Sequence, residues 1–338
     1  MRAWQVTDSF GLDNLRLVDR PSLPLGPGEV RLHMAATSLN YRDLLMVRGH
    51  YDPRQPLPLI PCSDGAGTVI ETGDGLSDLA LGDRVTPLFA TRWLTTEPTR
   101  QTIRSTLGGP LDGTLCDEMV LPASALVKVP DHLTLDEAAT LPCAALTAWS
   151  SLVTLGNLRT GQTVLVLGTG GVSIFALQFA KALGARVIIT SSDDAKLERA
   201  RALGADVTIN YRSEPQWSKP VRAATDGEGV DLVVEVGGAG TFEESVKSTR
   251  VGGIVSLIGV LAGAQKDLRL LPIVMNQIRV QGVLVGSREG FEEMNDAITK
   301  HQLRPVIDRT FAFEEAPEAF SLLAGQSHFG KVVVSHAR

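Results

Sequence analysis

Between Arg159 and Lys181 the chain carries no charged residue. An uncharged run of this length either crosses a membrane or lies buried inside a sheet-and-helix layer. Its content decides between the two. Gly161, Gly168, Gly170 and Gly171 interrupt it, and Thr163, Thr169, Ser173 and Gln178 add polar groups, which a lipid-spanning helix disfavours. It therefore reads as a buried strand, TVLVLG (163–168), a glycine turn, and a helix, GVSIFALQFAKALG (171–184), closed by Gly184. No membrane span is expected.

The same alternation continues beyond Gly184. RVIIT (186–190) is a strand and SDDAKLERARALG (192–204) a helix. DVTIN (206–210), VDLVVEV (230–236), GGIVSLIG (252–259) and RVQGVLVG (279–286) are further strands. Strand and helix in turn, with glycine at helix ends, predict an α/β fold with a doubly wound parallel sheet. The first third has a different texture. Short alternating or β-branched runs such as MRAWQV, NLRLVD, EVRLHMAATSLN and AGTVIETG are punctuated by Gly, Pro and Asp, which predicts a β-rich domain. The join begins at TLDEAATLPCAALTAWSSLVTLG, with Thr134 and Glu137 at capping-box spacing and Pro142 expected to divide the segment into two helices. The closing IDRTFAF, EEAPEAFSLLAG and GKVVVS read as strand, helix and strand, which either extend the parallel sheet or return to the first domain.

The turn GTGGVS places Gly168, Gly170 and Ser173 in a G-x-G-x-x-small pattern between an apolar strand and an apolar helix. Gly168 permits the tight turn, and Gly170 lets a pyrophosphate reach the backbone, where the first amides of the helix and its dipole attract it. The third position favours a small residue, and Ser173 is small but polar. In this context the motif predicts dinucleotide binding at Gly168, Gly170, Gly171, Val172 and Ser173. The next strand runs into Ser191 and Ser192 with no acid at its tip. An acid there would hold the ribose hydroxyls of NAD and repel a 2′-phosphate. Ser191 and Ser192, with Lys196 one helical turn on and Tyr211 after the following strand, point to NADPH. Asp193 and Asp194 read as ordinary acids of a helix N-terminus.

With these motifs in place, the chain resembles the medium-chain dehydrogenase/reductases. GPGEVRLHMAATSLNYRD, PCSDGAGTVIETG, LGDRV, TGQTVLVLGTGGVS, ALGADVTINY, DLVVEVGG and FGKVVVS occur in that family's order over nearly the whole length. The resemblance implies a GroES-like β-barrel catalytic domain over 1–143, completed by 286–338, a Rossmann domain over 144–285, and a substrate cleft between them. It also implies a homodimer, with the antiparallel-looking RVQGVLVG edge available for pairing. Thr147 and Val172 match positions behind the nicotinamide. Gly259, Ser287 and Lys331 match positions along the rest of the cofactor groove.

The family divides by metal. Zinc alcohol dehydrogenases carry a cysteine where this chain has Asn40, a histidine where it has Ser63, and a further ligand at Cys143. The four-cysteine zinc lobe is replaced by FATRWLTTEPTRQTIRSTLGGPLDG, which has no cysteine. The family's proton relay falls on Arg42 and Leu45, which do not serve it. Catalytic zinc takes three protein ligands and an open position, so no zinc is expected, and Cys143 reads as a core thiol. LNYRD with SDGAGTV resembles the zinc-free quinone oxidoreductase and enoyl reductase branch, which implies NADPH-dependent reduction of quinones, enones, alkenals or enoyl thioesters.

The segment Asn40–Asp43 then has two readings. In one it faces the substrate, with Tyr41 donating a hydrogen bond or proton, Asn40 orienting substrate or cofactor, and Asp43 and Asp64 as further candidates, Asp64 in contact with Arg42 or a cofactor-side group. In the other it starts a helix, with Asn40 as N-cap; both hold together. Arg42 and Asp43 are expected to form ion pairs that fix the loop. Trp93 covers the substrate or anchors its loop, and His50 reads as structural or surface.

Bulk properties agree. With 338 residues the chain exceeds one ordinary core. Its net charge of −6 without any basic run argues against nucleic acid. Three cysteines and an N-terminus with no apolar signal segment suit the reducing cytoplasm. A small-molecule substrate is the expected partner. An alcohol or ketone oxidoreductase and a catalytically silent nucleotide-binding protein are the rival readings.

Overall fold

The uncharged run after Arg159 folds as the strand Thr163–Leu167, a tight turn, and the helix Gly171–Ala182. A computed structural model describes residues 1–75, 78–259, 261, 267 and 269–336. Contacts divide the chain into two units, Thr147–Val285 and the pair Met1–Leu146 with Gly286–Arg338.

In the unit Thr147–Val285, the strands among the described residues form a six-stranded sheet. From edge to edge the order is Val207–Asn210, Arg186–Ser191, Thr163–Leu167, Val230–Glu235, Thr249–Leu257 and Arg279–Gly282. Every pairing is parallel. This is the doubly wound strand order, which reverses direction between Thr163–Leu167 and Val230–Glu235; ligands bind beyond the carboxyl ends of the strands at such a reversal. The strands are apolar because helices cover both faces. Leu165, Leu167, Ile188, Val233 and Val255 pack with Trp217, Val221 and Phe242, each side chain stabilising the unit by about 1.5–3 kcal/mol. The last strand, expected to look antiparallel over 279–286, is parallel to Thr249–Leu257 and ends at Gly282.

The other unit is built on the long strand Glu29–Leu39. It pairs antiparallel with Asp64–Thr72, with Glu118–Pro122 and with Lys331–Ser335. Ile307–Ala312 runs parallel beside Lys331–Ser335, so the closing strand–helix–strand returns to this unit rather than extending the parallel sheet. The helix Ala316–Ala324 seals it, burying Ala319, Phe320 and Leu323 against Leu32, Met34, Leu39 and Val332.

Thr134 caps the helix Leu135–Ala138 as its spacing predicts: Glu137 N donates to Thr134 Oγ1, and Thr134 N donates to the Glu137 carboxylate. That helix ends before Pro142 and not at it. A proline ring clashes with the carbonyl four residues back, which here is Ala138. Leu141–Ala145 and Ser150–Thr154 are wound as wider π turns around Leu146–Trp149. Among the described residues no helix is long and apolar enough to cross a membrane.

Candidate active site

The candidate residues fall into two separate groups, one in each unit. In the unit Thr147–Val285 the strand Thr163–Leu167 delivers the chain to Gly168, whose φ of +72° is the left-handed conformation that glycine tolerates. Space is open where a Cβ would stand on Gly168 and on Gly170. Gly171 and Val172 open the helix, leaving its first amides without helical partners. Ser173 is buried, and its hydroxyl donates to Leu167 O at 2.7 Å, tying the first turn of the helix to the end of the strand. That bond explains how a polar residue serves at the position where a small apolar one is usual. These residues fit a pyrophosphate.

At the tip of the next strand Ser191 is buried and its hydroxyl accepts from Asp193 N; Ser192 is half-buried. The Asp193 carboxylate caps the helix Asp194–Ala202 by accepting from Ala195 N and Lys196 N, and Asp194 accepts from Asn210 Nδ2. Both acids thus have structural partners. Tyr211, exposed, is brought to this tip by the bond from its N–H to Ser191 O. Thr147 is buried and its carbonyl accepts from Ser151 Oγ. Gly259 is required by close packing, because a Cβ there would stand 2.3 Å from Val236 O.

The second group is held in the other unit by sheet register. Val332 pairs with Leu39 in an antiparallel ladder, so Lys331 falls beside Asn40. Ser38 pairs with Asp64 on the opposite side of the same strand. Lys331, only 3% exposed, donates from Nζ to Leu39 O at 2.8 Å and to Asn40 Oδ1 at 2.6 Å. Asn40 Nδ2 makes a loose 3.5 Å contact with Ser63 Oγ, which donates to Asp64 Oδ1 at 2.8 Å. The other Asp64 oxygen accepts from Cys143 N at 3.1 Å. Asn40 stands at the helix N-cap position before Tyr41–Val47, but its side chain does not cap. The Asp43 carboxylate does part of that work by accepting from Asn40 N at 2.7 Å. Tyr41 is half-buried on the first turn.

Arg42 ties this helix to a loop. Its guanidinium donates to Leu107 O and Gly109 O, lies 3.4 Å from Asp43, and sits between the rings of Tyr51 and Phe89, 5.0 Å from each. The expectation that Arg42 and Asp43 fix the loop therefore holds. Asp64 does not pair with Arg42; its partners are Ser63, the Asn40 amide and the Cys143 N–H. Ser287 and Lys331 lie in the unit formed by Met1–Leu146 and Gly286–Arg338. Ser287 caps the helix Arg288–Lys300 by accepting from Gly290 N. Trp93 is buried, and its carbonyl takes the N–H of Arg288, anchoring its loop to that helix. His50 is exposed. Sequence reasoning missed the Lys331–Asn40 bond. It also missed Glu235, fully buried at the end of its strand, where it accepts from Gly237 N, Gly238 N and the hydroxyls of Thr241 and Ser245.

Burial dominates the electrostatics. It pushes Asp43 up to about 6, against the pull of the Arg42 guanidinium. Burial also raises Asp64, opposed first by Lys331, and raises the Cys143 thiol, helped by the Asp64 charge.

Likeness to known proteins agrees with this geometry. Residues 26–131 match the alcohol dehydrogenase GroES-like domain, and residues 171–300 match the zinc-binding dehydrogenase domain. The chain is 43% identical to a zinc-type alcohol dehydrogenase-like protein of Schizosaccharomyces pombe, over 92% of this chain and 91% of that protein. It is 31% identical to the acryloyl-coenzyme A reductase of Metallosphaera sedula, over 91% of this chain and 92% of that protein. The crystal structure of an NAD-dependent alcohol dehydrogenase superposes with a TM-score of 0.92 at 34% identity, over 100% of both chains. The chain belongs to the medium-chain dehydrogenase/reductase superfamily and is an oxidoreductase of that family.

The raised Asp43 has a consequence for stability. Its folded value of about 6 lies above the ordinary 3.8, so between these values the folded chain holds a proton that the unfolded chain has released. Stability from this group is present below pH 4 and is lost as pH rises through 6, by about 3 kcal/mol in all. Asp43→Asn removes that slope. Urea melts of wild type and variant from pH 4 to 7 should converge at the acid end and diverge by that order at the neutral end; parallel curves would show that Asp43 does not titrate there.

Proposed function

We propose that the chain is an NADPH-dependent reductase of activated double bonds that works without zinc. Its substrate is a conjugated carbonyl compound: an enone, alkenal, quinone or enoyl thioester. The observation that carries this reading is the Lys331 ammonium bonded to Asn40 Oδ1. A divalent cation is repelled by a buried ammonium this close, because like charges in a poorly polarisable interior interact strongly. The neighbouring donors suit zinc no better. The Ser63 hydroxyl is given to Asp64. The Cys143 thiol is raised by burial, whereas a metal takes the thiolate. The likeness to an acryloyl-coenzyme A reductase supports the same reading.

In this reading the glycine turn holds the pyrophosphate through Gly168, Gly170 and the first amides of Gly171, Val172 and Ser173. Ser191, Ser192, Lys196 and Tyr211 receive the 2′-phosphate, while Thr147 and Gly259 border the nicotinamide end. When bound, the nucleotide supplies hydride. The protein's own residues stabilise the charge that develops and complete the protonation. As the β-carbon is reduced, charge passes to the carbonyl oxygen as an enolate, which needs hydrogen-bond donors more than a metal. Tyr41 donates the proton or hydrogen bond, and Asn40 orients the acceptor. Asp43 and Asp64 are read as holding these groups in place through the bonds to Asn40 N, Ser63 and Cys143 N. The rival reading, an alcohol or ketone oxidoreductase, is favoured by the names of the yeast relative and the NAD-dependent structural relative.

NADPH oxidation screened against quinones, alkenals, enones and enoyl thioesters, with and without a chelator, separates the two. Chelator-resistant turnover of conjugated carbonyls is expected, and Tyr41→Phe should lower kcat about 100-fold. Alcohol oxidation that dies with the chelator would establish the rival. Unchanged turnover in the Phe variant would remove Tyr41 from the mechanism.

The cofactor is tested by itself. NADPH should bind about tenfold more tightly than NADH, one added charge-assisted contact being worth roughly that factor, and Lys196→Ala should narrow the gap. Equal affinities in fluorescence titrations would reverse the preference.

The assembly we propose is a homodimer. Among the described residues the edge strand Arg279–Gly282 pairs on one side only, and Leu270, Leu271, Val274 and Met275 beside it in sequence are 63–70% exposed. An unpaired edge and an apolar patch are liabilities that a second copy would cover. Light scattering should return twice the chain mass, and Val274→Asp with Met275→Glu should halve it. A wild-type monomer would refute the dimer.

A further inference from the structure

The register that sets Lys331 against Asn40 removes an ambiguity that a side-chain amide otherwise carries. An ammonium has three N–H bonds and no lone pair, so it can only donate. Lys331 gives hydrogen bonds to Leu39 O and to Asn40 Oδ1. The second bond pins the carbonyl end of the amide. Its NH₂ end is therefore turned toward Ser63 and Asp64. There it makes the 3.5 Å contact with Ser63 Oγ and, beside the Asp64 carboxylate, opposes the upward push of burial on that group. A contact of that length is weaker than a well-formed bond, so an incoming oxygen can compete for the N–H. Asn40 consequently presents a donor whose orientation is decided before any substrate arrives.

We propose that Lys331 is a positioning residue that holds Asn40 as the hydrogen-bond donor to the substrate oxygen on which charge develops. The proposal rests on the reading of the chain as a reductase of conjugated carbonyls. In that reaction a reduced nicotinamide would give up a C–H bond with its electron pair and be oxidised, and that pair would form the new C–H bond at the β-carbon. The carbon–carbon π electrons shift toward the carbonyl, and its oxygen takes up the displaced pair. The α-carbon then collects a proton from Tyr41 or water, and the saturated carbonyl compound is released. A donor fixed in advance stabilises the intermediate charge without reorganisation. The cation on Oδ1 polarises the amide and strengthens the N–H at its other end.

Four measurements test this: kcat and KM with a conjugated carbonyl, NADPH affinity by fluorescence, binding of para-nitrophenolate as a non-reacting oxyanion, and thermal melting. Asn40→Asp keeps the shape and still accepts from Lys331, but has no N–H to give. It should lower kcat about 100-fold and weaken the phenolate about tenfold, with NADPH affinity unchanged. Lys331→Met should do the same. Lys331→Gln, whose amide can donate to Asn40 Oδ1 without charge, should recover about tenfold of the loss seen in the Met variant.

An Asn40→Asp variant as active as wild type overturns the proposal, since a carboxylate cannot donate. So does a Lys331→Met variant with normal kcat and poor NADPH affinity, which would return Lys331 to the cofactor groove. A Gln variant no better than Met shows that charge and not orientation matters, and overturns the positioning role. If the Lys331 variants do not fold, Asn40→Asp decides alone. If no conjugated carbonyl is turned over, the functional reading fails, and the phenolate titrations still decide this proposal.

Discussion

The pairing of Lys331–Ser335 with Glu29–Leu39 is the contact on which the unit containing residues 1–146 depends. It joins segments from opposite ends of the chain and completes a sheet whose centre is the long strand Glu29–Leu39. It brings the helix Ala316–Ala324 over the core, where Phe320 and Leu323 are buried. It also sets a charged side chain beside the start of the helix Tyr41–Val47. An antiparallel ladder has a strict side-chain period of two, so a slip of one residue would turn Lys331 to the other face and put Val332 in its place. Packing and the buried polar contacts are set by the same register.

A buried ammonium is costly unless every bond it can make is answered. Here Lys331, Asn40, Ser63, Asp64 and the Cys143 N–H form a connected set, and Arg42 with Asp43 forms another on the adjoining helix. Removing one partner from such a set leaves a buried charge unanswered, which costs more than the set contributes when whole. These groups are therefore held in one arrangement. In the other unit the glycine turn has the opposite character. Its groups are backbone amides left over at a helix end, and open space at Gly168 and Gly170 keeps them accessible.

Much of this was legible in the residues. The alternation after Thr163 predicted a parallel sheet, and the six strands lie in doubly wound order. Thr134 with Glu137 predicted a cap that forms. The absence of an acid at the end of RVIIT stands out because Ser191 ends that strand while Asp193 is taken up by its helix. The misreading of one strand has a physical cause. RVQGVLVG looked like an antiparallel edge because alternation alone does not reveal strand direction. Pro142 divides the segment as expected, its ring ending the first helix upstream at Ala138. Asn40 does stand at the expected N-cap, but that local reading gives no hint of the distant cation bonded to its side chain.

The sequence by itself determined the parallel sheet, the glycine turn and the family, because each is written in contiguous residues: strand and helix periodicity, and a glycine at a left-handed position. Only the tertiary structure decided which groups meet in the buried polar set. Lys331 and Asn40 are 291 positions apart, and no local pattern links them. Their contact exists because one antiparallel register satisfies the apolar faces of two strands at once, and the ammonium is carried to the amide as a result.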